Sequence, residues 1–163
     1  MLKIFQNTLV KTVSFQGLGL HSGKSSKITI LPGQIDQGIV FKRVDLKLNN
    51  IIPANFRNVS SAKLCTTLEN EYGVKVSTVE HLLAALYISE IDNAVIEVNN
   101  EEVPIMDGSA KDFLDILSHV EIKRENKKRK FLKVKNKVEL IDGKRKISIE
   151  PIDSALEVEF QLN

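Results

Sequence analysis

The fold of this chain is decided by the stretch Ser77-Thr78-Val79-Glu80-His81-Leu82-Leu83-Ala84-Ala85-Leu86. From Val79 onwards, its apolar residues recur at the i, i+3, i+4, i+7 spacing that is typical of an amphipathic helix. The opposite side of this helix carries alanines and Ile88 as well as polar residues. We therefore expect a helix that starts near Ser77, packs on a sheet and is approached on its other side by a second surface.

Short segments of alternating polarity surround this helix and predict strands. The predicted strands are residues 2–20, 26–31, 38–43 and 93–99. A second helix is expected after the turn at residues 104–108, with Ser109 as its N-cap. The apolar stripe of that helix is Phe113, Ile116, Leu117 and Val120. This order of elements predicts an α+β domain, a two-layer sandwich in which helices cover a sheet.

A run of charged residues at 121–130 separates two different patterns and contains six basic side chains. Beyond it the apolar period becomes two, with Asp142-Gly143 as a hairpin turn and a third strand expected at residues 156–162. We therefore place the first α+β domain at residues 1–125. Residues 126–163 are expected to hold a linker and the first strands of a second domain.

The two predicted domains share a short echo in sequence. Lys27-Ile28-Thr29-Ile30-Leu31-Pro32 resembles Lys146-Ile147-Ser148-Ile149-Glu150-Pro151, which a duplicated domain would explain. The strands of the second domain present an apolar face that no following helix covers. Sheets bury such faces against another layer, so we expect the first domain, a missing C-terminal half or a second chain to cover it.

The composition narrows the class of protein. The chain has 163 residues, a net charge of +2, 42% hydrophobic residues and 27% charged residues, which is typical of a globular protein. No apolar run approaches the ~20 residues of a membrane span. The lone Cys65 excludes an intrachain disulfide, and the N-terminus lacks the features of a signal peptide, so we expect a cytoplasmic protein. The basic residues at 123–130 have no interleaved aromatic to stack on a base, and we expect no nucleic-acid partner.

Glu80 and His81 are the strongest candidates for chemistry, and two interpretations of them stay open. In the first, Ser77 and Glu80 form a capping box at the start of the helix. In the second, Glu80 and His81 lie side by side in the first turn and flank a shared site. A neutral imidazole there binds a metal, and the carboxylate serves as a general base.

Three further residues carry weaker signals. His21 lies in a glycine-rich turn, so its ring either lines the mouth of a site or has no role. Cys65 is either a small buried apolar residue or, less simply, a thiolate ligand. His119 points away from the apolar stripe of the second helix, and we expect it to face solvent.

Five segments that follow one another along the chain carry a resemblance to a known family. They are residues 17–23 (GLGLHSG), 64–68 (LCTTL), 77–86 (STVEHLLAAL), 91–93 (IDN) and 104–109 (PIMDGS). Together they resemble the N-terminal half of the UDP-3-O-acyl-N-acetylglucosamine deacetylase (LpxC) family. The resemblance implies a zinc-dependent hydrolase of lipid A biosynthesis that removes the N-acetyl group from UDP-3-O-acyl-N-acetylglucosamine. It also implies two similar α+β domains whose helix layers face each other around the site.

The resemblance implies roles for five residues of this chain. His81 corresponds to a zinc ligand, and Glu80 corresponds to the general base that activates the metal-bound water. Leu64 and Cys65 correspond to a segment that borders the substrate. His21 falls in a motif close to the substrate.

The resemblance also implies that the other zinc ligands of the family, a histidine and an aspartate, belong to its second domain and have no counterpart here. A catalytic zinc site needs about three protein ligands. We therefore expect the isolated chain to bind zinc poorly and to be inactive. The alternatives are a non-catalytic binding or assembly module and a truncated relic of the enzyme.

Overall fold

The computed structural model describes residues 4–153 and 156–161. Its contacts divide the chain into two units, Met1–Arg129 and Lys130–Asn163. The strands of the first unit are β1 (Phe5–Leu9), β2 (Val13–Leu18), β3 (Ser25–Pro32), β4 (Ile39–Arg43), β5 (Ile51–Pro53), β6 (Val59–Ser61), β7 (Thr67–Glu69), β8 (Lys75–Ser77), β9 (Ala94–Val98) and β10 (Ile122–Lys128). Its helices are α1 (Glu80–Ile88), α2 (Lys111–Ser118) and a short 3-10 helix, Phe56–Asn58. The strands of the second unit are β11 (Val138–Asp142) and β12 (Arg145–Ile149).

The main sheet of the first unit has the strand order β2-β3-β9-β4-β5. Strands β9 and β4 run parallel, and the other neighbours are antiparallel. The register places Ile28 opposite Val98 and Ile30 opposite Ile96, and Phe41 lies opposite Ile96 on the other side of β9. All five side chains are fully buried. Because side chains two residues apart share one face of a strand, the alternation of the sequence creates a single apolar face.

Helices α1 and α2 pack against each other and bury their apolar residues with this face of the sheet. The buried helix residues are Leu82, Ala85 and Leu86 of α1 and Phe113 and Leu117 of α2. The Phe113 ring also meets Phe15 edge-on, with 5.5 Å between centroids. These contacts confirm the predicted α+β fold. The outer side of α1 carries exposed Ala84, Tyr87 and Ile88, so it remains available for the second surface that the sequence predicts.

Both helices begin differently from the prediction. Helix α1 starts at Glu80, and Ser77 is the last residue of β8. The capping-box interpretation is wrong, because the N–H and the hydroxyl of Ser77 both donate to the Glu101 carbonyl, at 2.8 and 3.1 Å. The N-cap position belongs to Val79, which makes no side-chain cap. Ser77 is therefore held by its long-range pairing with Glu101, although the local sequence pattern had assigned it to the start of the helix.

The N-cap of α2 is Ala110, and Ser109 is one residue too early. The Ser109 hydroxyl accepts a hydrogen bond from the Lys111 N–H at 3.0 Å and donates to Asp107 at 2.9 Å. Hydrogen bonds from the amide and the hydroxyl of Ser109 lower the pKa of Asp107. The serine therefore lies one residue before the assigned N-cap, but its hydroxyl still caps the first helical amide while it organises the turn that leads into α2.

The charged run is not a linker, because residues 122–128 form strand β10. This strand pairs antiparallel with β1, so that Leu9 lies opposite Ile122 and Phe5 lies opposite Lys128. The division between the two units falls after Arg129, further along the chain than residue 125. Residues 126–129 thus belong to the first unit.

Interactions of the basic side chains explain why this polar segment is ordered. The Arg129 Nε lies 2.7 Å from an oxygen of Asp92, and both side chains are largely buried. Further contacts include an ion pair of Lys127 with Asp36, an ion pair of Lys123 with Glu125 and the Arg124 guanidinium over the Phe5 ring. Backbone hydrogen bonds to β1 and charge pairs stabilise β10. Neither kind of interaction is visible in the spacing of apolar residues along the sequence.

The second unit contains an antiparallel hairpin in which Val138 lies opposite Ile149 and Leu140 lies opposite Ile147. Every residue of both strands is exposed. The predicted third strand is wrong for residues 156–161, which form no strand, and Leu162 lies outside the described residues. Alternation alone does not make a strand, which needs a hydrogen-bonding neighbour. That these residues begin a second domain stays a prediction. Across residues 4–153 and 156–161, no helix is long and apolar enough to cross a bilayer.

Candidate active site

The connection between β8 and α1 contains a strained residue. Thr78 has a φ of +58°, in the left-handed region, and is only 2% exposed. A β-branched side chain in this region is unfavourable and persists only where its surroundings hold it. Its hydroxyl donates a hydrogen bond to Glu102 Oε1 at 3.0 Å. The strain therefore lies immediately before the first helical turn, where Glu80 and His81 are found.

Glu102 is a carboxylate that is almost completely buried, at 2% exposed. Its Oε1 accepts from the His21 N–H at 2.9 Å, in addition to Thr78, and its Oε2 accepts from the Ser22 N–H at 2.8 Å. Burial raises the pKa of Glu102, but the hydrogen bonds from His21, Ser22 and Thr78 outweigh burial and leave the pKa lowered. The side chain is therefore an anion that hydrogen bonds from His21, Ser22 and Thr78 stabilise.

The turn that these amides belong to needs a glycine at its start. A Cβ on Gly19 would collide with the Glu102 carboxylate and with the Ser22 hydroxyl. The Gly23 N–H closes the turn by donating to the Gly19 carbonyl at 3.0 Å. Close approach of the backbone to the buried carboxylate thus explains a glycine at this place in the sequence.

Glu80 connects α1 to the segment that precedes β7. Its Oε2 accepts a hydrogen bond from the Thr66 N–H at 3.1 Å. The Val79 N–H in turn donates to the Thr66 carbonyl at 3.4 Å. The candidate base is therefore held at one oxygen by a backbone amide, and His81 follows it in the same helical turn, half-buried.

Leu64 and Cys65 lie in the same segment and are brought close to the start of α1 through Thr66. Leu64 has a φ of +68° and is 85% exposed. Cys65 is half-buried, with its Sγ 3.9 Å from the Thr67 hydroxyl. Leu64 is thus a strained, exposed apolar residue two positions before Thr66, whose amide donates to Glu80.

The two remaining histidines differ in their relation to this region. The ring of His21 is exposed, and its backbone is joined through Glu102 to Thr78. His119 is exposed after the last residue of α2, with its Nδ1 2.7 Å from the Asp115 carbonyl, which confirms the prediction that it faces solvent.

Sequence reasoning missed Glu102 and Thr78. Glu102 follows Glu101 in a polar segment after β9, and neither its burial nor its partners are visible in that local pattern. Thr78 lies inside the quoted motif but has no mark that separates it from an ordinary helix-flanking threonine.

Within the described ranges, no group of three or more His, Cys, Asp or Glu side chains is placed to hold a metal ion. His81 is a single candidate ligand, and a catalytic zinc site needs about three protein ligands. The residues that the structure describes therefore do not fit a complete zinc site on their own.

A cleft of about 580 Å³ lies among other residues, on loops around β5 and before β8. Its lining consists of Asn49, Asn50, Ile51, Pro53, Asn55, Asn58, Asn70, Glu71 and Tyr72. None of the candidate site residues lines it.

Comparison with known proteins gives a consistent result. Residues 6–163 match the family model for UDP-3-O-acyl N-acetylglycosamine deacetylase (LpxC). Similar proteins named UDP-3-O-acyl-N-acetylglucosamine deacetylase occur in Shewanella baltica (strain OS155) and Shewanella sp. (strain W3-18-1), both 42% identical over 160 residues, and in Shewanella oneidensis, 41% identical over 160 residues. Each alignment covers 98% of this chain and 52% of the relative. The chain thus spans about half the length of the curated relatives it matches.

Proposed function

The chain belongs to the UDP-3-O-acyl N-acetylglycosamine deacetylase family, and we propose that it forms the part of a zinc-dependent amide hydrolase that carries Glu80 and His81. The substrate is UDP-3-O-acyl-N-acetylglucosamine, a UDP-linked acylated glucosamine, which loses its N-acetyl group in lipid A biosynthesis. The observation that supports this most directly is the match over residues 6–163, which includes the Glu-His pair.

We assign Glu80 the role of general base. Its carboxylate lies in the first turn of α1 and is held at Oε2 by the Thr66 amide. A carboxylate fixed in this way can accept the proton of a water that attacks the substrate amide. Leu64 and Cys65, which are joined to the same turn through Thr66, border the substrate, and His21 contributes from the neighbouring turn.

His81 is proposed as one ligand of a zinc ion. The described residues offer no complete ligand set, so the other ligands come from outside them, and no catalytic step of this chain is assigned through the metal. The same reasoning supports the expectation that the isolated chain binds zinc weakly and is inactive. We propose a cytoplasmic location, which the single cysteine supports.

The rest of the protein, or a second chain, is the proposed cover for the apolar face of the β11–β12 hairpin. Its members Val138, Leu140, Ile147 and Ile149 are all more than half exposed. The second candidate function, a non-catalytic binding or assembly module, is favoured by the same exposed face together with the incomplete ligand set. The two candidate functions predict different results when the missing zinc ligands are supplied: the hydrolase should become active, and the binding module should not.

A chimera tests the proposal. This chain would be joined to the half of the Shewanella baltica relative that it does not match, and zinc content and hydrolysis of UDP-3-O-acyl-N-acetylglucosamine would be measured. We expect about one zinc per chimera and deacetylation, with both lost in His81→Ala. Glu80→Gln should keep zinc but lose activity by roughly 100-fold or more.

His119→Ala is the matched control, because it removes an exposed histidine of the same chain and should change neither quantity. A folded chimera that binds zinc and hydrolyses substrate equally well with His81→Ala would overturn the assignment. A folded chimera with no zinc and no activity would favour the non-catalytic module.

A further inference from the structure

The backbone on either side of Thr78 is fixed by separate sets of hydrogen bonds. On one side, the Ser77 N–H donates to the Glu101 carbonyl at 2.8 Å, and the Val103 N–H donates to the Ser77 carbonyl at 3.1 Å. On the other side, Val79 is joined to the segment before β7 at 3.4 Å. Thr78 and the N-cap residue Val79 thus connect the end of β8 to the start of α1, and the left-handed conformation of Thr78 sets the direction in which the helix leaves.

The left-handed conformation of Thr78 is not one that a threonine chooses by itself. Its hydroxyl is fixed by Glu102 at 3.0 Å, and the side chain is buried. If this bond were lost, Thr78 would be free to return to the extended or right-handed region. Such a change would rotate the first turn of α1 relative to Thr66, because Glu80 is only two residues further on.

We propose that Glu102 is a positioning residue, which acts through the hydroxyl of Thr78 to hold Glu80 and His81 in one orientation relative to the Thr66 segment. Its importance for catalysis rests on the proposed function, because that assigns the chemistry to Glu80 and His81. The geometric claim itself concerns only this chain.

The chemistry of the contacts explains why a carboxylate is needed here. Oε1 accepts from both His21 and Thr78, and Oε2 accepts from Ser22, so donors approach both oxygens. A glutamine would turn an NH2 group towards a donor and leave buried groups unpaired. An aspartate is one methylene shorter and would not reach both the turn and Thr78. The same anion therefore joins the turn at residues 19–23 to the helix start.

The test uses the amide of Thr66 as a reporter of Glu80, since the two are hydrogen-bonded at 3.1 Å. In this chain, the ¹H–¹⁵N shift and hydrogen exchange of the Thr66 amide would be measured for Glu102→Gln and Thr78→Val. We expect both variants to shift the resonance upfield and to speed its exchange by roughly tenfold or more, as for loss of a hydrogen bond to a charged group. The ring signals of His81 should move in both.

Two controls match these variants. Glu101→Gln removes the same charge from the neighbouring, exposed position and should leave the Thr66 amide unchanged. Thr78→Ser keeps the hydroxyl and should also leave it unchanged. If Glu102 acts through Thr78, the double variant should show no larger effect at Thr66 than either single variant, because one link is broken in all three.

The proposal fails if Glu102→Gln lowers the free energy of unfolding but leaves the Thr66 and His81 signals in place, since the residue would then serve the turn alone. It also fails if the effects of Glu102→Gln and Thr78→Val at Thr66 are additive. If Glu102→Gln does not fold, Thr78→Val compared with Thr78→Ser still decides the matter.

The activity of the chimera separates the two proposals. Loss of the Thr66 signature together with a roughly 10–100-fold lower kcat and a KM of similar size supports both. Loss of the signature in a chimera that was inactive beforehand supports the positioning role and removes only the proposed function.

Discussion

Strands β3 and β12 have closely similar sequences but very different surroundings. β3 contains Lys27-Ile28-Thr29-Ile30, and β12 contains Lys146-Ile147-Ser148-Ile149. Both pair with an antiparallel neighbour. The isoleucines of β3 are fully buried, whereas Ile147 and Ile149 are 70% and 53% exposed.

The comparison shows that strand formation and burial are separate consequences of one pattern. The alternation places both isoleucines of each strand on one face. Among the residues that the structure describes, helices cover this face in β3 but not in β12, and burial of apolar surface contributes roughly 25 cal/mol per Å² to stability. Replacements at matched positions should therefore have unequal effects.

The largest effect is expected for Ile28→Ala, at the β3 position that matches Ile147 of β12. This change leaves a cavity between the sheet and the helices, and the free energy of unfolding should fall by about 2–5 kcal/mol. Urea unfolding followed by far-UV circular dichroism measures it, with exposed Lys27→Ala of the same strand as the control. A loss below about 1 kcal/mol would remove the distinction between the two strands.

Lowering the pH should affect the stability of the two units differently, because each contains a glutamate with a lowered pKa. The pKa of Glu102 is lowered by the hydrogen bonds that outweigh its burial, and the pKa of Glu139 in β11 is lowered by its hydrogen bond to Lys146. A lowered pKa means that the stabilisation is present above about pH 4.3, the usual value for glutamate, and is lost as the pH falls towards the folded-state pKa.

Only the buried group should matter strongly, because solvent and salt screen the exposed pair. Between pH 6 and pH 3, the wild-type chain should lose more stability than Glu102→Gln does, by no more than about 2 kcal/mol, which is the linkage limit for one glutamate with an unfolded-state pKa near 4.3. Glu139→Gln should follow the wild-type curve. Parallel urea titrations at several pH values provide the measurement, and equal slopes for Glu102→Gln and the wild type would contradict the expectation.

The smallest effect is expected for Ile147→Ala, the β12 counterpart of a buried isoleucine. Because its side chain is 70% exposed, the free energy of unfolding should change by no more than about 0.5 kcal/mol. Urea unfolding at two protein concentrations is the suitable measurement. A loss of about 2 kcal/mol at the higher concentration alone would mean that a second copy covers the face.

The parts of the fold that follow from periodicity were predictable from the sequence. The spacing from Val79 to Leu86 indicates α1, and the alternation in β3, β4 and β9 indicates the sheet. Two of the errors arose where a residue has a distant partner, whereas the strand predicted at residues 156–161 failed although its sequence alternates. Ser77 was assigned to a cap but pairs with residues 101–103, and the charged run pairs with β1 at the other end of the first unit.

In the candidate site, too, some residues could be predicted from a local motif and others could not. Glu80 and His81 stand out because a motif carries them, and their proposed roles depend on the family. Glu102 could not be found, because its donors, His21, Ser22 and Thr78, lie far from it in the sequence. A buried anion with long-range donors has no local signature, and only a folded structure brings its partners together.

The pairing of β1 with β10 has a consequence for synthesis of the chain. Strand β1 leaves the ribosome before β10 and can pair with it only when residues 122–128 have also emerged, since Phe5 pairs with Lys128. At about 5–20 residues per second, that interval lasts on the order of ten seconds. During it, the unpaired edge of β1 is open to other strands. The nascent chain is therefore most exposed to mispairing before β10 is made, and a chaperone that binds extended segments would act in that interval.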